Sequence, residues 1–561
     1  MVRAMATAMA SDAMPSRSMV MSIRVAKDGA FSRPLRVACV VGALGATSLS
    51  YAQLGQSLSS AAPEPVAGMD AGAQGEAIAE KRFLSLVPRL TVDGLWTNNI
   101  RLQSSADSAS DFVTTVTPGL RFLADGDRLK ASVDYSLSRL FHARNQSLDR
   151  NQNMLSARGA YEMAENFAFV DFSANIAQQT ISAFGPRSDN NTAFNANRTE
   201  VATYSLSPYV RGQFGDWASY QARYNRVSSR SKSASAAASD YDMNELSAML
   251  NGGSQQRAFS WSLDVNRQSL DYSNGRSFES DRIRAFLTYP FTPQLSLSLI
   301  PGWESNNYAS QDKESRTTIG ARANWSVSDR TQLSALLEQR FFGRAYSFSF
   351  EHRTPRTAWR ASASRDASVT PNQVGSASLG PLYDLLFLQF SSIEPDPVRR
   401  AQLVQAYLLA NGLNGNTNVD LGFLTSAVSL VQRQDLSFTL LGRRDTLTFL
   451  LSQSENSRLL QSVGGLDDLG NSMFVRQRGF SVVYSHRLTP SSTLNVLASQ
   501  IRSSGDATSG LSSTLKSLNV SVSTKLGQHT SATVGVRRAI SDNTLSSYTE
   551  SAVRGGVTVQ F

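Results

Sequence analysis

The 561-residue chain holds one cysteine, Cys39, and four histidines. Cys39 lies in an N-terminal segment expected to be removed, so the mature chain has no thiol, no disulfide and no cysteine metal site. A lipoprotein site would put Leu three residues before the cysteine, and Arg36 stands there. His142, His352, His486 and His529 are scattered without metal-ligand spacing. HExxH, GxSxG and P-loop patterns are missing. His486 follows Ser485, but adjacent strand residues point to opposite faces and cannot form a catalytic pair. The chain is therefore read as a non-enzyme without cofactor or metal. Also missing is any run of about 18 apolar residues outside the N-terminal region, which excludes spanning helices. A hydrophobic fraction of 41% and a mean hydropathy of -0.23 look soluble. They do not exclude a membrane, because a barrel strand needs only about 10 residues with every second one apolar.

Charge of one sign is scarce as well. The net charge is +9, and residues 1–52 carry Arg3, Arg17, Arg24, Lys27, Arg33 and Arg36 against Asp12 and Asp28. Without them the 54 basic and 45 acidic residues fall to 48 and 43, a net +5. That balance is weak support for any anionic partner, and no nucleic-acid partner is expected. The segment itself reads as a signal peptide. Arg33 and Arg36 precede an apolar stretch from Val37 to Ala46, and Ser50-Tyr51-Ala52 gives a small-x-small cleavage pattern before Gln53. A short core helix is the alternative. The stretch before Met21 is long for a signal, so translation could start at Met19 or Met21. Residues 53–80, rich in Ala, Gly, Ser and Pro, read as a flexible linker.

What is present from residue 81 onward is one rhythm. Apolar and polar residues alternate for about ten positions, then a polar stretch follows. Leu84, Leu86, Pro88, Leu90, Val92, Gly94 and Trp96 occupy one face. Phe259, Trp261, Leu263 and Val265 alternate with Ser260, Ser262 and Asp264. Ile319, Ala321, Ala323, Trp325 and Val327 repeat the pattern, as do Leu518, Val520 and Val522. Connections alternate too. Short turns such as "ADGD" (124–127), "GD" (215–216), "SDR" (328–330) and "GQH" (527–529) take turns with longer polar stretches at 97–110, 142–153, 178–199, 228–241, 267–280, 304–316, 503–513 and 540–551. Outer-membrane barrels have short periplasmic turns and longer outer loops, whereas a soluble sandwich mixes lengths at both ends.

The pattern predicts an all-β fold: a single large up-and-down antiparallel transmembrane β-barrel of about 22 strands. Fifteen strands are counted up to about residue 365, and seven more from about residue 431. An even total follows if 366–430 is one long outer loop, since both termini of a bacterial barrel lie in the periplasm. One outer connection is short, "GR" at 343–344. Within 366–430, Asp396 is a suitable N-cap, Pro397 a suitable first helical residue and Gly412 a C-terminal stop. Val398, Ala401, Val404 and Leu408 share a face, and 382–390 forms a second candidate helix. This helical insertion is expected either to plug the lumen or to cap it from outside. Trp96, Tyr135, Trp303 and Trp325 are expected near strand ends, as interfacial belts.

The polar face carries Ser, Thr and Asn with many arginines: Arg211, Arg223, Arg282, Arg284, Arg322, Arg340, Arg360 and Arg537 are the candidate lumen charges. Arg89, Asp93, Lys130, Asp134, Asp171, Glu338 and Arg554 share that face. Two readings stay open: a cationic lumen that attracts anionic solutes, or charge-paired wall packing. At the other end of the chain, "RGGVTVQF" is read as the closing strand, pairing with the first strand near Leu84–Trp96. Val553, Val557, Val559 and Phe561 would face lipid, and Phe561 would sit at the periplasmic rim. There Val557, Val559 and Phe561 would serve as a signal to the barrel-assembly machinery.

"SDFVTTVTPGLRF" (110–122), the stretch 127–186, "LYDLLFLQF…DPVRRAQLVQAYLLANGLN" and "GFLTSAVSLVQRQDLSFTLLGRRDTLTF" resemble the PEP-CTERM-system-associated outer-membrane proteins of Gram-negative bacteria. The resemblance spans most of the mature chain and has no catalytic signature. It implies an exosortase-associated barrel tied to exopolysaccharide loci, of unassigned activity and with no functional residues to carry over. The expected role is an outer-membrane, porin-like pore in exopolysaccharide or envelope export. Its expected partners are outer-membrane lipid, anionic polysaccharide and export-complex proteins. The alternatives are a non-conducting docking barrel for a secretion or sorting complex, or a secreted soluble β protein.

Overall fold

The computed structural model describes residues 83–561 apart from 189–190, 234–238, 254–258, 274–275, 460–466, 545 and most of 370–421, where only Phe387, Arg400 and Val404 are described. The expected signal peptide and linker lie outside the described residues.

The period-two pattern becomes strands in an unbroken meander. They are β1 (Leu84–Thr97), β2 (Asp111–Asp125), β3 (Leu129–His142), β4 (Arg150–Ala164), β5 (Ala168–Thr180), β6 (Arg198–Phe214), β7 (Ala218–Ser231) and β8 (Tyr241–Gly252). There follow β9 (Ser260–Tyr272), β10 (Ser277–Pro290), β11 (Leu295–Asn306), β12 (Glu314–Ser328), β13 (Thr331–Arg340), β14 (Gly343–Arg353) and β15 (Thr357–Ser368). After the long insertion come β16 (Ser429–Leu441), β17 (Asp445–Arg458), β18 (Phe474–Arg487), β19 (Ser492–Ser504), β20 (Ser512–Lys525), β21 (Thr530–Asn543) and β22 (Tyr548–Gln560). The 22 strands form one sheet, each antiparallel to its neighbours in sequence. β22 then pairs with β1, Arg89 opposite Gln560 and Thr97 opposite Ala552, and the Phe561 amide donates to the Pro88 carbonyl at 2.9 Å. Closure leaves no edge strand, so the ladder satisfies its backbone groups internally, as a hydrocarbon surround requires.

Alternation sorts the side chains by face. Leu86, Ile319, Leu337 and Val534 point outward and are about 60% exposed, at 59%, 61%, 62% and 61%. Their polar neighbours face the interior. At the short-turn end Phe167, Phe214, Trp217, Phe291, Trp325 and Trp359 are exposed, and Trp217 packs against Trp261 with centroids 6.4 Å apart. At the long-loop end Trp96, Phe112, Phe141 and Trp303 form the opposite belt. Tyr135, expected near a strand end, instead lies mid-strand in β3 and donates its hydroxyl to Asn153 Oδ1 at 3.0 Å.

The strands run further toward the long loops than the apolar alternation does. β9 continues to Tyr272 and β10 starts at Ser277, where the sequence led us to expect loop over 267–280. β21 likewise reaches Asn543 and β22 starts at Tyr548. Beyond the apolar band the outward face turns polar, with Arg267, Ser269 and Asp271, while Leu270, Tyr272 and Phe278 point inward, so the apolar-out alternation ends while backbone pairing goes on. The short outer connection also shifts. Arg340 pairs with Gly343, so Phe341 and Phe342 make the turn in place of Gly343 and Arg344. Gly343 takes φ +99, which a residue with a Cβ rarely adopts.

Candidate functional site: the inner wall and its long-loop mouth

All eight candidate arginines lie on the inward face. The sequence left their partners open, and the register supplies them. Arg284 sits directly opposite Asp264, with Nη2 3.4 Å from its carboxylate. Arg282 reaches Glu338 at 2.7 Å. Arg340 grips Glu304 through Nε at 3.0 Å and Nη2 at 2.8 Å, and also pairs with Asp366. Arg360 faces Glu351 at 3.5 Å. Glu304 and Glu338 side chains are each 1% exposed, so the charges neutralise one another inside the wall. Gly320 on the same face lets Glu338 lie flat, since a Cβ there would meet the Glu338 Cβ at 3.1 Å. Across β9–β15, Arg282, Arg284, Arg340 and Arg360 thus meet Asp264, Glu304, Glu338, Glu351 and Asp366. Arg322 lies over the Phe286 ring at 4.9 Å.

The remaining three behave similarly. Arg223 pairs with Asp171 at 2.7 Å and stacks over Tyr209 at 4.0 Å. Arg211 covers Phe169 at 4.3 Å, and Phe169 stacks on Tyr209. Arg537 pairs with Glu550 at 2.6 Å, and Thr97 Oγ1 donates to the same carboxylate at 2.8 Å. Arg89 and Arg121 converge on Asp134 at 2.6 and 3.0 Å. Glu304 and Asp366 were not singled out from sequence. Parity could have found Glu304, because Trp303 beside it faces outward.

Nearer the long loops the inner face turns aromatic. Tyr241, Tyr272, Phe278, Tyr308, Phe341 and Phe342 form an edge-to-face chain from β8 to the β13–β14 turn, with successive centroids 5.0–6.3 Å apart. Val369 and Val428, at the two ends of the long insertion, pack on this chain, and the Tyr272 hydroxyl donates to the Val369 carbonyl. The insertion therefore leaves and rejoins the barrel against its inner wall. Phe387, Arg400 and Val404 are helical, and the Arg400 guanidinium lies over the Phe387 ring at 4.8 Å. The plug expected from 366–430 otherwise falls outside the described residues.

Loops from opposite walls meet at this end. Eight strands separate β5 from β18 one way round, and ten separate β6 from β17 the other way. Even so, Ser182 Oγ and the Ala183 amide, just beyond β5, donate to Asp468 at 2.7 and 2.6 Å. Asp468 opens a single helical turn, α1 (Asp468–Asn471), between β17 and β18. Asp467 caps α1 and also accepts from Thr425 Oγ1 at 2.7 Å and the Ser426 amide at 2.8 Å. Ala183, Phe184, Phe423, Leu469 and Val475 bury one another beneath these bonds. The same β5–β6 loop packs Ala193 on inward-facing Leu515, Ala539 and Tyr548, and its Arg187 carbonyl accepts from the Tyr548 hydroxyl. Burial holds the Asp468 carboxyl above the ordinary carboxylate range. Asp506, which accepts from the Met473 and Ser509 amides, is held down at about 2. No group of His, Cys, Asp and Glu among the described residues could hold a metal ion.

A closed 22-stranded barrel with an apolar outer band, two aromatic belts and a polar, charge-paired interior defines an integral outer-membrane β-barrel protein. No protein-family model matches the chain, and no curated protein matches it in sequence. Solved structures do resemble it in shape. The FrpB iron transporter of Neisseria meningitidis is 9% identical with a TM-score of 0.46, covering 85% of this chain and 81% of its own. The siderophore receptor PirA of Pseudomonas aeruginosa is 10% identical with a TM-score of 0.40, covering 85% and 80%. OccAB4 of Acinetobacter baumannii is 10% identical with a TM-score of 0.33, covering 85% and 98%.

Proposed function

We propose that this barrel takes part in exopolysaccharide or envelope export, with its interior as the route. The observation that carries the reading is the inner wall: a closed, hydroxyl-rich surface whose charges are neutralised in place. Such a wall offers hydrogen bonds to a hydrated polymer without a strong field of one sign. The cargo class comes from the family resemblance. The test is polysaccharide export in a deletion strain, with and without the gene restored. Unchanged export would remove the cargo assignment. Planar-bilayer conductance of the purified barrel tests the route. Deleting 381–412 should raise conductance if the insertion restricts the lumen, and an unchanged value would sink the plug.

One observation favours a second reading, a non-conducting docking barrel. The β5–β6 loop is bonded and packed to the far wall, which narrows the mouth with protein. Absence of channel activity together with a stable co-purifying envelope protein would select it. In either case the barrel-assembly machinery is a proposed partner, with Val557, Val559 and Phe561 as its signal. That Phe561 is 71% exposed beside Pro88 at the short-turn rim supports this reading. Phe561→Ser should lower outer-membrane levels, and normal levels would remove that role.

A further inference from the structure

We propose that the outward face of β18–β21, just below the long loops, binds the phosphates of lipid A in the outer leaflet. Four cations point outward there: Arg478, Arg502, Lys516 and Arg538, all exposed. Each lies within five residues of the long-loop end of its strand. Arg478 and Arg502 are direct cross-strand neighbours. Lys516 pairs with Gln500, diagonal to Arg502, and Arg538 is diagonal to Lys516 through the Lys516–Ile540 pair. The result is a stripe of positive charge across four strands.

Like charges directly opposite one another in a sheet are unfavourable. Several other outward cations are relieved by acids: Arg230 by Asp242 at 2.5 Å, Arg267 by Asp281 at 3.6 Å, and Lys313 by Glu279 and Asp281 at 2.8 Å. Arg139 and Arg226 donate to Asn151 and Asn244, but neither stands directly opposite another cation. Among the described residues no carboxylate comes within ion-pair distance of any of the four in the stripe. Arg478 Nε donates instead to the neutral Gln453 Oε1 at 2.9 Å. An external anion is what would complete the set, and guanidinium forks match phosphate geometry.

The height fits as well. Directly beneath the cations, on the same face, stand Phe480, Leu518 and Val536, 42%, 47% and 53% exposed. The stripe therefore marks the upper edge of the apolar band, where headgroup phosphates lie above acyl chains. Beside it a groove of about 540 Å³ is floored by Leu436, Leu451 and Phe480 and rimmed by Arg478 and Arg502. Apolar floor and cationic rim together fit a phosphorylated, acylated saccharolipid. This assignment is independent of what the lumen carries.

The test uses the full barrel in mild detergent, its folding checked by heat-modifiable migration. Binding of diphosphoryl lipid A, its dephosphorylated form and phosphatidylglycerol is compared for the native chain, R478A/R502A/K516A and the control R230A/R267A. The native chain and the control should prefer diphosphoryl lipid A by at least about tenfold, the order expected for losing a charge-assisted contact. The triple variant should lose that preference. R478Q/R502Q, which keeps side-chain bulk, serves if the triple variant fails to fold. Equal binding of the dephosphorylated lipid, equal binding of phosphatidylglycerol, or an unaltered preference in a folded stripe variant would each overturn the assignment.

Discussion

The inner wall of β9–β15 and the long-loop mouth both bury carboxylates, yet they are held in different ways. In the wall, Asp264–Arg284 and Glu351–Arg360 are register partners on adjacent strands. Their geometry is fixed by the same ladder that closes the barrel. At the mouth, Asp468 and Ser182 lie 286 residues apart and belong to opposite walls. Their bond exists only once the barrel has closed and the loops have folded in. Wall pairs should therefore contribute to global stability, whereas mouth pairs should govern a local equilibrium.

The largest effect that separates the two is expected from Glu304→Ala. It removes the buried carboxylate that Arg340 grips twice and strips an acceptor from the Phe341 amide. The expected loss is about 3 kcal/mol of global stability, read as a lower urea midpoint in lipid vesicles. An unchanged midpoint would show that the wall pairs are as dispensable as surface ones. Asp468→Ala comes next. It orphans the Ala183 amide and Ser182 Oγ, with a local loss of about 1–3 kcal/mol. Hydrogen exchange should rise across 181–188 while the urea midpoint stays put. A midpoint that falls with it would mean that mouth and wall unfold as one unit.

This contrast also marks what the sequence could reveal. Strand number, closure by the last strand and the inward parity of the arginines all follow from period two, because one face must be apolar in hydrocarbon. Cross-strand partners needed the register, which alternation leaves free by steps of two residues. The extended strand tops broke the apolar-out pattern, since there the outward face is polar and the apolar residues, such as Leu270, Tyr272 and Phe278, turn inward. The mouth contacts had none at all: Ser182, Asp467 and Asp468 sit in polar loops that look like any other solvated loop. The unpaired stripe on β18–β21 lay between these extremes. Parity puts Arg478, Arg502, Lys516 and Arg538 outward, but only the pairing shows that they adjoin, with Glu455 and Asp542 diagonal to Arg478 and Lys516 and not ion-paired with them.

The smallest expected effect concerns pH and sharpens the local half of the comparison. Burial raises the Asp468 pKa, Asp467 beside it pushes the same way, and Arg187 opposes. A raised folded pKa means that the closed mouth favours the protonated acid. Its contribution is fully present below the ordinary carboxylate range and is lost as pH rises through the raised value. Asp506 has the opposite sign. Held at about 2 by the Met473 and Ser509 amides, it supports the closed loops above the ordinary range and loses that support as pH falls toward 2. The mouth should be tightest in the window between, with Asp506 ionised and Asp468 still protonated. Hydrogen-exchange protection of 181–188, corrected for intrinsic rate, should decline from the top of that window toward neutral pH. In Asp468→Asn, a neutral isostere with one carbonyl acceptor, the decline should vanish. A decline that persists in Asp468→Asn would place the titrating group elsewhere and leave Asp468 as a plain hydrogen-bond acceptor.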